Sequence, residues 1–175
     1  MGETVHAMFP AEKIDRRLSE LAEEIRSDYG EKLITMVCAL KGATIFMADL
    51  ARKLDNNVEF EFLRASSYGD ASVSDGNVRL MQGTIEPLEG KHVLLVEDIV
   101  DSGHTLVFLR NYIESQKPAS FKICVLLDKP ERRVDGNAAY DYLGFSIPDE
   151  FMVGYGLDYA QRYRNLPFLG VLRFE

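Results

Sequence analysis

The residues best suited to chemistry follow one short apolar run. Val93-Leu94-Leu95-Val96 is succeeded by Glu97, Asp98, Ile99, Val100, Asp101, Ser102, Gly103, His104 and Thr105. Four apolar residues predict a buried strand, and two carboxylates leave its C-terminal end, the side on which open α/β sheets bind ligands. A helix is expected to begin near Thr105. Its first turn would offer unpaired backbone N–H groups and the positive end of the helix dipole. Gly103 lets the main chain approach an anion closely, and Ser102 and Thr105 add hydroxyl donors. Together these make a phosphate cradle. Glu97 and Asp98 beside it could meet a metal-bound sugar diphosphate or its hydroxyls, and Asp101 could act as a base. The same residues would also serve as a solvated acidic turn with a helix N-cap. The segment is not a P-loop, because no Gly-Lys-Ser/Thr follows a glycine-rich turn, and it lacks the Gly-x-Gly-x-x-Gly of a dinucleotide site.

The elements that must hold this segment can be traced by periodicity. Ile14, Leu18, Leu21 and Ile25 line one face of a helix from Pro10 to Tyr29, with Gly30 as its stop. Leu33 to Leu40 predicts a buried strand. Ala43 to Leu54 predicts a helix with Phe46, Leu50 and Leu54 along one side. Val58 to Ser66 alternates, with Val58, Phe60 and Phe62 on one covered face, and Val78 to Met81 is its returning strand. Between them, 68–77 is small and polar, either a solvated hairpin loop or a mobile lid. His92 to Val96, Phe121 to Leu127, Tyr140 to Phe145 and Phe151 to Gly154 are further strand candidates, and Thr105 to Ser115 a helix. Alternating strands and helices predict a mostly parallel α/β sheet. With 175 residues and no repeat, low-complexity tract or linker, one domain is expected.

Composition narrows the function. A net charge of -8 argues against broad binding to nucleic acid or anionic membranes. An anionic substrate must then be held by local devices: a few basic residues, backbone N–H groups or a metal ion. No apolar run approaches a membrane span. The N-terminus, Met1 to His6, has no basic region leading into an apolar stretch, so no secretory signal is expected. Cys38 and Cys124 lie within apolar runs, as buried free thiols of a reducing compartment would. A cytoplasmic protein is expected. His6 and His92 show no metal-ligand spacing.

Residues 93–106 resemble the phosphoribosyl pyrophosphate signature of type I phosphoribosyltransferases, with every position of that pattern filled. Other segments resemble the hypoxanthine-guanine branch of that family over nearly the whole chain. Lys41-Gly42, after a strand and before a helix, is similar to the family's pyrophosphate loop. Arg64 to Gly69 resembles the start of its mobile catalytic loop, with Ser67 and Tyr68 closing over the reacting centre. Lys129 stands where the family has the lysine that donates to O6 of the purine; an ammonium has only donors, which favours a 6-oxo over a 6-amino group. In Pro148 to Tyr159, the resemblance gives Phe151 the role of stacking on the base. It also has the Met152 backbone read the base edge and Asp158 help to place Mg²⁺. Arg164 matches a pyrophosphate-contacting arginine.

The resemblance implies a type I phosphoribosyltransferase fold: a mostly parallel central sheet flanked by helices, a small hood from the terminal segments and a mobile hairpin loop. It implies a Mg²⁺-dependent pentosyl transferase of purine salvage, in which Asp101 takes the N7 proton and Ser102, Gly103, His104 and Thr105 seat the 5′-phosphate. Glu97 and Asp98 would contact the donor and, with Asp158, the metal. A homodimer or homotetramer follows by analogy. Ser66 and His104 depart from residues common in the family, where a lysine and another, often basic, residue occur. Rival readings are a non-catalytic sensor of phosphoribosyl pyrophosphate, a xanthine-preferring enzyme, and a metal-dependent phosphohydrolase built on Glu97, Asp98, Asp101 and Asp158.

Overall fold

The computed structural model describes the chain except Met1, Asn56, 68–77, 83–84, Asp135, Asn137 and Glu175; for Ser66, Ser67, Val78, Arg79, Met81 and Gln82 it describes the backbone only. Along the chain run β1 (Glu3–Phe9), α1 (Ala11–Tyr29), β2 (Ile34–Ala39), α2 (Thr44–Lys53), β3 (Val58–Ser67) and β4 (Val78–Gln82). They are followed by β5 (His92–Val100), α3 (His104–Ser115), β6 (Ser120–Asp128), β7 (Tyr142–Ser146), β8 (Met152–Val153) and β9 (Leu169–Phe174). A 3-10 turn, Pro130–Arg132, follows β6.

Among the described residues six strands form the main sheet, in the order β4-β3-β2-β5-β6-β7. All its pairings are parallel except β3 with β4. The helices cover both faces, so the inner strands are apolar on both sides. Ile34, Met36 and Cys38 of β2, Leu94 and Val96 of β5, and Cys124 and Leu126 of β6 face one core, packed by α1 and α2. Val37, Val93, Leu95, Ile123 and Val125 face the other, packed by Leu106, Leu109 and Ile113 of α3. Helix α1 buries Ile14, Leu18, Leu21 and Ile25, as their spacing predicts, and Gly30 ends it. Arg17 ties it to the sheet by donating to the Leu143 carbonyl at 2.8 Å. No helix among the described residues is long and apolar enough to cross a membrane.

The chain leaves β2 toward one sheet edge and returns to lay β5 on its other side. This reversal opens a crevice at the C-terminal ends of β2 and β5, the usual ligand position in such sheets. Strands β1 and β9, from the two ends of the chain, join β8 in a separate antiparallel sheet of order β1-β9-β8. This small hood contributes Met152, Leu169 and Val171 to the α1/α2 core.

Two expectations need correction. The apolar run 92–96 continues as a strand to Val100, because pairing with β6 persists through Glu97↔Val125 and Val100↔Asp128. Glu97 and Asp98 are therefore strand residues and do not emerge beyond the strand. The face carrying Phe60 and Phe62 is half-exposed, at 46% and 41%. Among the described residues β4 pairs with Arg64–Ser67 alone, which leaves the first part of β3 as an open edge among them. The proposed lid at 68–77, with Tyr68, lies outside the described residues.

Candidate active site

Strand β5 delivers the acids, and the chain then turns through Asp101-Ser102-Gly103 into α3. Gly103 has a φ of 96°, a conformation that side chains rarely adopt. Among the described residues no side chain caps the N-terminus of helix α3, and its first turn carries no acid. A cavity of about 230 Å³ opens there, lined by Glu97 through Gly103 together with Thr105 and Leu106. His104 begins the helix but does not line the cavity.

A second cavity, of about 240 Å³, adjoins the first and shares Asp98, Ile99 and Asp101 with it. Its other walls are Lys129, Phe151, Met152, Leu157 and Asp158. Lys129 follows β6 and is buried, with its ammonium 3.4 Å from Asp149 Oδ1 and 4.0 Å from Asp101 Oδ2. Phe151 stays half-exposed at the cavity, held edge-on against Tyr159 with ring centroids 5.6 Å apart. A basic group with donors only, an apolar ring and a carboxylate thus surround one space that opens onto an anion cradle.

The third side is the turn after β2, where the Leu40–Lys41 peptide is cis. Gly42 presses against the acids: a Cβ there would lie 1.5 Å from Asp98 Oδ2. Behind it, a Cβ on Gly156 (φ 104°) would lie 2.1 Å from the Gly42 carbonyl oxygen. The segment around Gly156 also holds Tyr155, Ala160, Gln161 and Tyr163 at positive φ. Such strain concentrates at functional sites, and this winding brings Arg164 and Asp158 to the turn. Arg164 Nη2 pairs with Asp158 Oδ1 at 2.7 Å, while its Nη1 donates to the Gly156 carbonyl at 2.8 Å. Lys41 Nζ and Arg164 Nη2 both approach Gln161 Oε1, at 3.3 and 3.4 Å.

Burial, and then the charge of Asp98, push the Glu97 carboxyl well above the usual carboxylate range. Burial also raises Asp98, against hydrogen bonds from Glu97 and the Ile99 N–H and the nearby Arg164 charge. Glu97 Oε2 is buried without a hydrogen-bond partner. Among the described residues no three His, Cys, Asp or Glu side chains gather as a metal cage. Burial pushes the Cys38 thiol up to about 12, which makes it a poor nucleophile.

The structure therefore brings Glu97, Asp98, Asp101, Ser102, Gly103 and Thr105 together with Lys129, Phe151, Met152 and Asp158. Gly42 abuts Asp98, and Lys41 and Arg164 meet through Gln161. For Ser67 only the backbone is described, within β3. Sequence reasoning missed Gly156, Gln161, Asp149 and Arg132. The glycine at 156 was visible as a residue type, but its contact with Gly42 is made only in three dimensions.

An α/β sheet with an uncapped helix N-terminus at its switch point and an acid pair beside it is the arrangement suited to a phosphorylated ligand. The sequence model of the phosphoribosyl transferase domain matches residues 6–160, and the chain belongs to that family. The hypoxanthine phosphoribosyltransferase of Escherichia coli K12 is 45% identical over 172 residues, covering 97% of this chain and 96% of that protein. The hypoxanthine-guanine phosphoribosyltransferase of Streptococcus thermophilus is 44% identical over 168 residues, covering 96% and 93%. Among solved structures, a hypoxanthine-guanine phosphoribosyltransferase from Bacillus anthracis superposes with a TM-score of 0.90 at 40% identity, covering 99% of this chain and 100% of that one. Within the family, the chain falls in the hypoxanthine-guanine phosphoribosyltransferase branch.

Proposed function

We propose that the protein transfers the phosphoribosyl group of phosphoribosyl pyrophosphate to N9 of hypoxanthine or guanine, releasing pyrophosphate and yielding inosine or guanosine monophosphate. The observation that carries this reading is the meeting of two cavities at Asp98, Ile99 and Asp101, one an anion cradle and the other walled by Lys129 and Phe151. In this scheme the 5′-phosphate rests on Asp101 to Thr105, and Glu97 and Asp98 face the ribose. The base lies against Phe151, with O6 at Lys129 and its edge along Met152. Asp101 accepts the N7 proton as N9 forms its bond to C1′ and the C1′–oxygen bond to pyrophosphate breaks. The pyrophosphate leaves past Lys41-Gly42 and Arg164.

The buried, unpartnered Glu97 Oε2 beside Asp98 fits a donor bound with Mg²⁺. Such a metal is ordinarily held by one or two carboxylates plus substrate phosphates. Glu97, Asp98 and Asp158 are the groups that would hold it, and it would supply neutralisation of the charge on the leaving diphosphate.

The open edge of β3, with Phe60 and Phe62 half-exposed, supports a homodimer or homotetramer, since exposed apolar patches commonly mark protein contacts. Buried free thiols support a cytoplasmic setting.

The test is to offer purified protein Mg²⁺, phosphoribosyl pyrophosphate and each of hypoxanthine, guanine, xanthine, adenine and uracil, and to follow nucleotide formation by chromatography. Inosinate or guanylate is expected, with adenine and uracil inert. No nucleotide from any base, in folded protein that binds the donor, would overturn the enzyme reading and leave a sensor of the donor.

A further inference from the structure

Asp101 and Lys129 carry opposite charges and face the same cavity, where attraction would draw them into a direct pair. They stand 4.0 Å apart instead, and each has a second, nearer partner. Arg132 Nε donates to Asp101 Oδ1 at 2.9 Å, and Asp149 Oδ1 lies 3.4 Å from Lys129 Nζ. Arg132 Nη1 and Asp149 Oδ2, 3.7 Å apart, close the circuit. The result is a ring of alternating charge, with Lys129 buried within the site and Arg132 and Asp149 half-exposed at its rim. Arg132 is seated by the 3-10 turn, where its N–H donates to the Lys129 carbonyl. Two residues on, the Val134 N–H donates to the Ser102 carbonyl, fastening this turn to the phosphate loop.

A 6-oxopurine presents O6 and N7 side by side on one edge. O6 needs a donor, and N7–H needs an acceptor. Were Asp101 and Lys129 to pair directly, each would satisfy the other and the edge would find neither. We propose that Arg132 and Asp149 are positioning residues that hold Asp101 and Lys129 apart, keeping the edge-reading pair open for the incoming base. This rests on the reading that Asp101 serves N7 and Lys129 serves O6.

The test is a double-mutant cycle on the full chain, with kcat and the KM values for hypoxanthine and for phosphoribosyl pyrophosphate. Arg132→Leu is expected to raise the hypoxanthine KM by about ten- to a hundredfold, the scale of misplacing a group by an ångström. The donor KM should stay within about twofold, and Arg132→Lys should recover part of the loss. In a Lys129→Gln background the inner pair cannot close. There Arg132→Leu should change the hypoxanthine KM by no more than about twofold, the non-additivity expected of coupled groups. Equal effects of Arg132→Leu in both backgrounds, or none in either, would overturn the proposal. Asp149→Asn tests the same ring from the other side, and an unchanged hypoxanthine KM there would also count against it. Should Lys129→Gln and Asp101→Asn both leave turnover intact, the underlying assignment fails instead, whatever Arg132 does. A thermal melt of each variant separates loss of fold from loss of position.

Discussion

Gly42→Ala is the smallest change that should disturb both the fold and the site. The added Cβ would lie 1.5 Å from Asp98 Oδ2 and 2.6 Å from its Cγ, distances at which something must move. Asp98 is poorly placed to yield. Its Oδ1 accepts from the Ile99 N–H at 2.7 Å, and its neighbour Glu97 is buried. Nor can the turn retreat, since Gly156 stands directly behind the Gly42 carbonyl. If Asp98 turns away, it gives up a hydrogen bond to a charged group, about 1.5–3 kcal/mol. If the backbone gives instead, overpacking costs about 1–3 kcal/mol. The strain takes whichever route is cheaper or is divided between them, so a loss of about 1–3 kcal/mol is expected. For a chain of this size that lowers the melting midpoint by about 2–12 °C. Differential scanning calorimetry measures the midpoint, and steady-state kinetics should show a raised KM for phosphoribosyl pyrophosphate, because Asp98 lines the cavity proposed for the donor. A midpoint and a donor KM both indistinguishable from the parent would refute this account of how the turn and the acid pair pack.

Gly156→Ala should destabilise more than Gly42→Ala. Its Cβ meets a backbone carbonyl at 2.1 Å, and its φ of 104° strains any side chain; yield of folded protein and the melting midpoint report both penalties. Asp101→Asn, nearly isosteric, should cut turnover by about 10²–10⁴-fold while leaving the donor KM close to the parent's, and unchanged turnover would remove Asp101 as the base. Glu97→Gln should stabilise the unliganded protein in metal-free buffer, and increasingly so as pH rises. The folded pKa of Glu97 is raised, first by burial and then by Asp98. Its favourable contribution is therefore complete below the unfolded carboxyl pKa and is lost as pH climbs through the folded one. Melting curves of both proteins across that range decide the matter: a midpoint difference that stays flat or shrinks with pH contradicts the buried-acid argument.

What could be read from the chain depended on whether a feature is contiguous. The strand at Val93–Val96 is legible because both its faces are buried, which leaves an unbroken apolar run. Its extension through Glu97 and Asp98 is not, since carboxylates break the pattern and only pairing with β6 keeps them in the sheet. Periodicity does not pick out the hood strands β1 and β9, which the resemblance implies only as terminal segments, for a related reason. Glu3–Phe9 shows no clean alternation of burial, and its partner lies at the other end of the chain. Phe60 and Phe62 have the spacing of a covered face, and periodicity cannot tell an inner strand from an open edge. The same division runs through the site. The phosphate cradle is one unbroken segment, so its residue types announce it, and Lys129 and Phe151 lie in runs specific enough to be matched. The contacts that set the positions of these groups join distant segments. Asp101 and Arg132 are 31 residues apart, and the Gly42–Asp98–Gly156 stack comes from three separate turns and strands. Sequence motifs therefore mark the groups proposed to touch the ligand, while tertiary contacts decide where those groups stand. Change at Arg132 or Asp149, both half-exposed and members of neither core cluster, should accordingly appear in the kinetics of the base before it appears in the stability of the fold.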